Sequence, residues 1–234
     1  AVHRYRANQI PVAGLAVLAN ERSLFAPGFL RTCLSALARD GGDVRRAEGL
    51  DLFWRGYVWG PDAAPASGSF GVTGILARAY RCFGEDFPRR IEGAFAAVVI
   101  DSAGAIAVLA HDELALESLF YAPYNDELIV ATHLLDIIRA TGVGELDETY
   151  ISDYLAHGWH FGDRTPYSHV RRLRAGETVV WRGGGLKRVS AWTLDSVAPL
   201  RLTDERDYET LFRGAIARGR HGRNPSTLRR CSNR

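Results

Sequence analysis

Between Glu92 and His133 the chain carries four apolar runs in close succession, AFAAVVID, AIAVLAHD, SLFYAPY and ELIVATH. Each is shorter than the roughly 10–12 residues a packed helix needs, and each is bounded by turn residues. Ser102-Ala103-Gly104 joins the first run to the second, and Asn125-Asp126 joins the third to the fourth. Paired apolar runs across such turns read as β-hairpins. Because the runs are apolar on both faces, they imply a sheet covered on both sides. Any fold for this chain is therefore built around buried strands with helices laid over them.

The remaining periodicities supply those helices. Phe29, Leu30, Cys33, Leu34 and Leu37 predict a helix over Gly28–Ala38, stopped by Asp40-Gly41-Gly42. A second spans about Thr73–Phe83, with Ile75, Leu76, Ala79 and Tyr80 inward, and ends at Gly84. Leu134–Ala140 and Glu148–His157 read as two more. Leu202–Arg218 is a final amphipathic helix, N-capped by Thr203, with Tyr208, Leu211, Phe212 and Ala215 on one face. VAGLAVLA (Val12–Ala19) and LDLFWRGYVWG read as strands, Asp62–Gly71 as a loop, and Thr178–Trp181 with Leu186–Ser190 as a hairpin over Gly183-Gly184-Gly185. The class is α+β.

Composition sets outer bounds. At 234 residues, 47% apolar and 24% charged, the chain suits one large globular domain, or a domain with a fragment attached. No window nears the roughly 20 consecutive apolar residues of a membrane span. The opening AVHRYRANQ lacks the apolar run of a signal peptide, so the expected compartment is cytoplasmic. Cys33, Cys82 and Cys231 are odd in number and lie outside any CxxC spacing, which weighs against a disulfide framework or a zinc site. The net charge is +2, yet seven arginines and no acid follow from Arg213 onward, so residues 1–212 carry −5. Basicity belongs to the tail, which has no aromatic interleaving and no nucleic-acid-binding motif.

The stretch Ile75–Asp101, ILARAYRCFGEDFPRRIEGAFAAVVID, resembles the glutaminase domain of asparagine synthetases, class II glutamine amidotransferases of the N-terminal nucleophile fold. The likeness continues through AVLAHDELALESLFYA, DELIVATHLLDII, ETYISDYLAHG, DRTPYSHVRRLRAGETVVW and Ala191-Trp192, covering roughly Gly49 to Leu194. It implies a four-layer αββα sandwich. It also implies glutamine hydrolysis by a cysteine whose own α-amine serves as base, with oxyanion donors and charged groups that grip the amino acid.

The chemical positions depart from that pattern. Residue 1 is Ala, where the family opens with Cys-Gly. The family's Asn-Gly-Glu segment falls on Arg55-Gly56-Tyr57, and its Ser-Asp pair falls near Gly71-Val72. Its Arg-Asp-x-x-Gly-x-x-Pro-Leu-Tyr segment reads here His111-Asp112-Glu113-Leu114-Ala115-Leu116-Glu117-Ser118-Leu119-Phe120. Arg55, Gly56, Tyr57, Gly71, Val72, His111 and Asp112 are thus the degenerate substrate-binding positions, with no catalytic residue and no metal ligand assigned. The Ser-Gly-Gly-x-Asp-Ser loop, with which these synthetases hold ATP, does not follow the last helix.

Other clusters read as structure. His111, Asp112, Glu113 and His133 lack a nucleophile beside them. His157 and His160 around Trp159 have only an HxxH spacing, and Phe53, Trp54, Tyr57 and Trp59 alternate along a strand as core residues do. Arg171, Arg172 and Arg174 match a basic segment of the family.

The expectation is a glutaminase-like domain (1–198), a linker helix (199–219) leading toward a synthetase domain, and a basic, disordered tail (220–234). In this reading the chain does not hydrolyse glutamine and serves as scaffold for an amide-forming synthetase domain. It resembles the lactam and lasso-peptide cyclase branch. ATP and Mg belong to that synthetase domain, and the partner is that domain in trans or a second copy. The alternative is an amide hydrolase with a substituted nucleophile, drawing on Ser69, Thr73 or His111.

Overall fold

The computed structural model describes residues 30–32, 43–47, 49–59, 71–159, 162–190, 192–193, 195 and 197–222. Their elements run β1 (Leu30–Thr32), β2 (Asp43–Ala47), β3 (Leu50–Trp59), α1 (Gly71–Phe83), a 3₁₀ segment (Gly84–Arg90), β4 (Glu92–Asp101) and β5 (Ile106–His111). There follow β6 (Phe120–Tyr124), β7 (Glu127–Ala131), α2 (Leu134–Thr141), α3 (Glu148–His157), β8 (Arg171–Arg172), β9 (Glu177–Arg182), β10 (Gly185–Ser190) and α4 (Glu205–Gly222). The fold is mixed helix and sheet.

The hairpins form where the turn residues place them. Asp101 Oδ1 accepts from the amides of Ala103 and Gly104 and closes the β4–β5 turn. Asn125 and Asp126 both adopt positive φ, 50° and 62°, the conformation that matches the strand twist in a two-residue hairpin loop. The four runs nevertheless do not share one sheet. β4 and β5 lie in a six-stranded sheet of order β10-β9-β5-β4-β3-β2, while β6 and β7 lie in a four-stranded sheet of order β1-β7-β6-β8.

Asp112, buried just past the end of β5, marks where the chain leaves the first sheet. Its carboxylate accepts from the amides of Phe95 (3.0 Å), Leu114 (2.8 Å) and Leu116 (3.2 Å), and its carbonyl accepts from Gly176 (2.9 Å). These bonds lift the chain out of the first sheet and carry it across to the second.

Three apolar clusters fill the interior. Leu76, Ala77, Ala79 and Tyr80 of α1 pack on one face of the six-stranded sheet, against Leu52, Trp54, Ala97, Val99 and Val108. The opposite face carries Phe53, Val98, Ile100, Leu109 and Trp181, packed against Tyr121, Leu128 and Val130 of the four-stranded sheet. The far face of that sheet, through Ile129 and Ala131, takes Ile137 of α2. Alternation along β3 explains the split: Phe53 and Trp54 are adjacent, both buried, and belong to different clusters.

Two expectations need correcting. Leu30–Thr32 is not helical but a short strand, paired in parallel with Leu128–Val130; pairing at the sheet edge overrides the helical spacing, and Cys33–Ala38 lie outside the described residues. The last helix begins at Glu205 rather than Leu202, and the side chain bonding its first turn is Asp204, whose Oδ1 accepts from the Arg206 amide at 2.9 Å, rather than Thr203. It also reaches Gly222. Val12–Ala19, most of the Asp62–Gly71 loop and residues 223–234 lie outside the described residues. No helix among the described residues is long and apolar enough to cross a membrane.

Candidate functional site

At one end of the space between the sheets lies a cleft of about 600 Å³. β3 supplies Arg55 to it, on the same inward face as Phe53 two residues earlier. The segment crossing from β5 to β6 supplies Glu117 and Ser118, the end of β7 supplies Thr132, and His133 leads into the first turn of α2. Asp136 and Arg139 of α2 complete the wall.

The charges in the cleft are spent on one another. Arg55 Nε lies 2.7 Å from Glu117 Oε2, with both side chains partly exposed. Arg139 Nη1 lies 3.0 Å from Asp136 Oδ1, one turn apart on α2. No group of three metal-ligating side chains occurs among the described residues. Cys82, the one cysteine among them, is exposed on α1, across the six-stranded sheet from the cleft.

The positions expected from the resemblance do not all lie together. Arg55 and Gly56 reach the cleft end of β3; the backbone of Tyr57 continues the strand, and its side chain lies outside the described residues. Gly56 has φ +91°, and a Cβ there would sit 2.0 Å from the Ala94 carbonyl oxygen, so only glycine fits. Gly71 and Val72 open α1 on the outer face, where Val72 packs against the helix–sheet core and brings no charge. Asp112 is the pivot already described, its carboxylate committed to backbone amides.

His111 forms a cross-strand row with Arg55, since Arg55 pairs with Ala96 and Ala96 with His111. The two are two strand spacings apart, about 10 Å. His111 is buried, and neither ring nitrogen makes a hydrogen bond. Burial, helped by the nearby Arg172 charge, pushes its pKa down to about 4, opposed by the Arg174 and Leu173 backbone. Thr73 lies on α1, against the other face of the same sheet, so it and His111 are not brought together; Ser69 lies outside the described residues.

The other clusters are dispersed. Phe53 and Trp54 are core, the side chain of Trp59 lies outside the described residues, and so does His160 beside His157. Arg171 lies 4.0 Å from Asp147, and Arg174 lies 3.8 Å from Glu177. Asp147 caps α3 through the Tyr150 amide and receives Arg164 at 2.7 Å; burial opposes ionisation there, but these partners hold its carboxyl below the ordinary value.

Sequence reasoning missed Glu117, Ser118, Thr132, Asp136 and Arg139. Glu117 and Ser118 stood inside a segment read for what it had lost, not for what replaced it. Asp136 and Arg139 showed a helical i,i+3 pair, a signal too common to mark a site.

One backbone detail fixes the register of the crossing segment. Ala115 stands where the resembled segment has glycine, and its φ is +49°, a left-handed conformation that alanine adopts only at a cost.

A direct sequence comparison gives the class of the domain. The glutamine amidotransferase domain family matches residues 67–193, more than half of the chain. The chain belongs to that family. Among solved structures it is similar to the glutamine phosphoribosylpyrophosphate amidotransferase from B. subtilis complexed with ADP and GMP, at 16% identity and TM-score 0.40, covering 63% of this chain and 30% of that one. It is also similar to a structure described as the allosteric regulatory enzyme of purine biosynthesis, at 14% identity and TM-score 0.41, covering 64% and 30%. The chain thus spans under a third of either structure's length. No curated protein matches it in sequence.

Proposed function

We propose that this is the glutaminase-like domain of an asparagine-synthetase-like protein, a four-layer αββα sandwich of the N-terminal nucleophile type that does not hydrolyse glutamine. It acts as scaffold for an ATP-dependent synthetase domain that forms an amide, as in the lactam and lasso-peptide cyclase branch. Residues 1–198 are the domain, and the segment from 199 through α4 is the tether. ATP and Mg are handled by the synthetase domain, outside residues 1–234. The observation carrying this reading is the Arg55–Glu117 ion pair at 2.7 Å. It stands where the resembled family places its asparagine donor to the oxyanion. A guanidinium held by a carboxylate is a poor substitute, because its charge is neutralised by Glu117 before any substrate arrives. Val72 supports the same reading, since a packed apolar side chain replaces the carboxylate that would hold the substrate amine.

The test is to incubate the full chain with glutamine and quantify glutamate and ammonia. The expected outcome is no release above buffer, before or after iodoacetamide treatment. Release that thiol alkylation abolishes would overturn the reading. Amide turnover that survives alkylation but disappears in His111→Ala would overturn it too, in favour of a substituted nucleophile.

A further inference from the structure

The 18-residue helix α4 lies beyond the residues matched to the amidotransferase family. None of its described side chains is buried. Tyr208, Leu211, Phe212 and Ile216 recur at helical spacing and stay exposed, Phe212 at 68%. Tyr208 is held in place: its hydroxyl accepts from the Leu202 amide at 2.8 Å and donates to the Leu200 carbonyl at 3.2 Å. That fixes the approach to a helix about 27 Å long, carrying an open apolar stripe.

Charge says what covers the stripe. Asp204, Glu205, Asp207 and Glu209 crowd the start, with Arg206 among them; after Glu209 the helix has no acid and carries arginine at 213, 218 and 220. The helix dipole accounts for the sign at each end. It does not account for the placement: at 100° per residue, positions 207 and 218 fall along one edge of the stripe, and 205, 209, 213 and 220 along the other. Two such helices laid antiparallel bring each edge against the same edge of its mate. A register centred between residues 212 and 213 sets position 207 opposite 218 and position 205 opposite 220, acid against arginine on both sides.

We propose that α4 docks on α4 of a second copy of this chain, antiparallel about a twofold axis, with Leu211 and Phe212 at the centre. A twofold interface repeats each contact, so the complementarity counts twice. The inference does not depend on the proposed function, because a tether requires only its ends. An interface of two such stripes is small, of the kind that weak, transient complexes use.

The experiment is sedimentation velocity on the full chain up to about 100 µM, at low and high salt. Wild type is expected to dimerise, less so at high salt. Leu211→Asp with Phe212→Asp gives a monomer with unchanged circular dichroism. The acid-edge variant (Glu205→Arg with Asp207→Arg) and the arginine-edge variant (Arg218→Glu with Arg220→Glu) each weaken self-association by about tenfold or more. Mixed in equal amounts they dimerise again. A wild type that stays monomeric throughout overturns the proposal, as does self-association of either charge variant at wild-type strength, or a mixture that fails to recover. The readout is mass, so absence of glutamine hydrolysis has no bearing on it.

Discussion

Burial of an imidazole with 2% of its surface exposed, helped by the nearby Arg172 charge, favours the neutral form of His111. The pH dependence of stability follows with a definite sign. The folded-state pKa is about 4 against an unfolded value of 6.5, so between those limits the unfolded chain binds the proton and the folded chain does not. His111 therefore costs nothing extra above pH 6.5 and destabilises progressively as pH falls toward 4. Over that window the loss approaches about 3 kcal/mol. His111→Leu keeps an apolar side chain of comparable size between the sheets and has nothing to protonate. Urea unfolding at pH 7 is expected to find the variant as stable as wild type or slightly more so, because a buried polar ring is replaced by an apolar side chain. Near pH 4.5 the variant should lead by roughly 2–3 kcal/mol. Parallel profiles would mean that the ring reaches water.

The crossing segment between β5 and β6 combines two backbone features. Asp112 holds three amides there, and Ala115 keeps a left-handed turn. Relieving alanine of that conformation is worth about 1–2 kcal/mol, and the added freedom of glycine in the unfolded chain takes back about 0.5–1 kcal/mol. Ala115→Gly should therefore stabilise by about 0.5–1 kcal/mol, read as a higher denaturant midpoint with unchanged slope; a lower midpoint would show that the turn is not left-handed in solution. Such backbone demands explain what sequence reasoning saw and what it did not. β4 through β7 were legible because turn residues bracket apolar runs, and α2 and α3 because their apolar spacing is helical. The division of those strands between two sheets came only through the resemblance, which implied a two-sheet sandwich, since hairpin signals are local and do not say which strands share a sheet. Leu30–Thr32 was misread for the same reason: a three-residue edge strand is defined by the partner it pairs with, β7, rather than by its own pattern. At the site, Arg55 and Gly56 were found through a motif, whereas the Glu117 partner of Arg55 depends on a loop path that no spacing encodes.

For the whole molecule, the consequential feature is that the two sheets share one core. Phe53, Val98, Leu109 and Trp181 from the six-stranded sheet interleave with Tyr121, Leu128, Val130 and Leu173. The cleft lies at the end of that core, with Arg55 on one sheet and Thr132 at the end of a strand of the other, so its shape is set by how the sheets are held together. Leu109 is fully buried in that core; Leu109→Ala removes three carbons from a packed layer and should cost about 2–5 kcal/mol. The loss should be shared. Far-UV circular dichroism, which reports both sheets, and fluorescence, in which Trp181 between the sheets is one reporter, are expected to fall in a single coincident transition for wild type and variant alike. Two separated transitions in the variant would mean that the sheets fold as independent layers. The cleft would then be an accident of their contact rather than a feature the fold maintains.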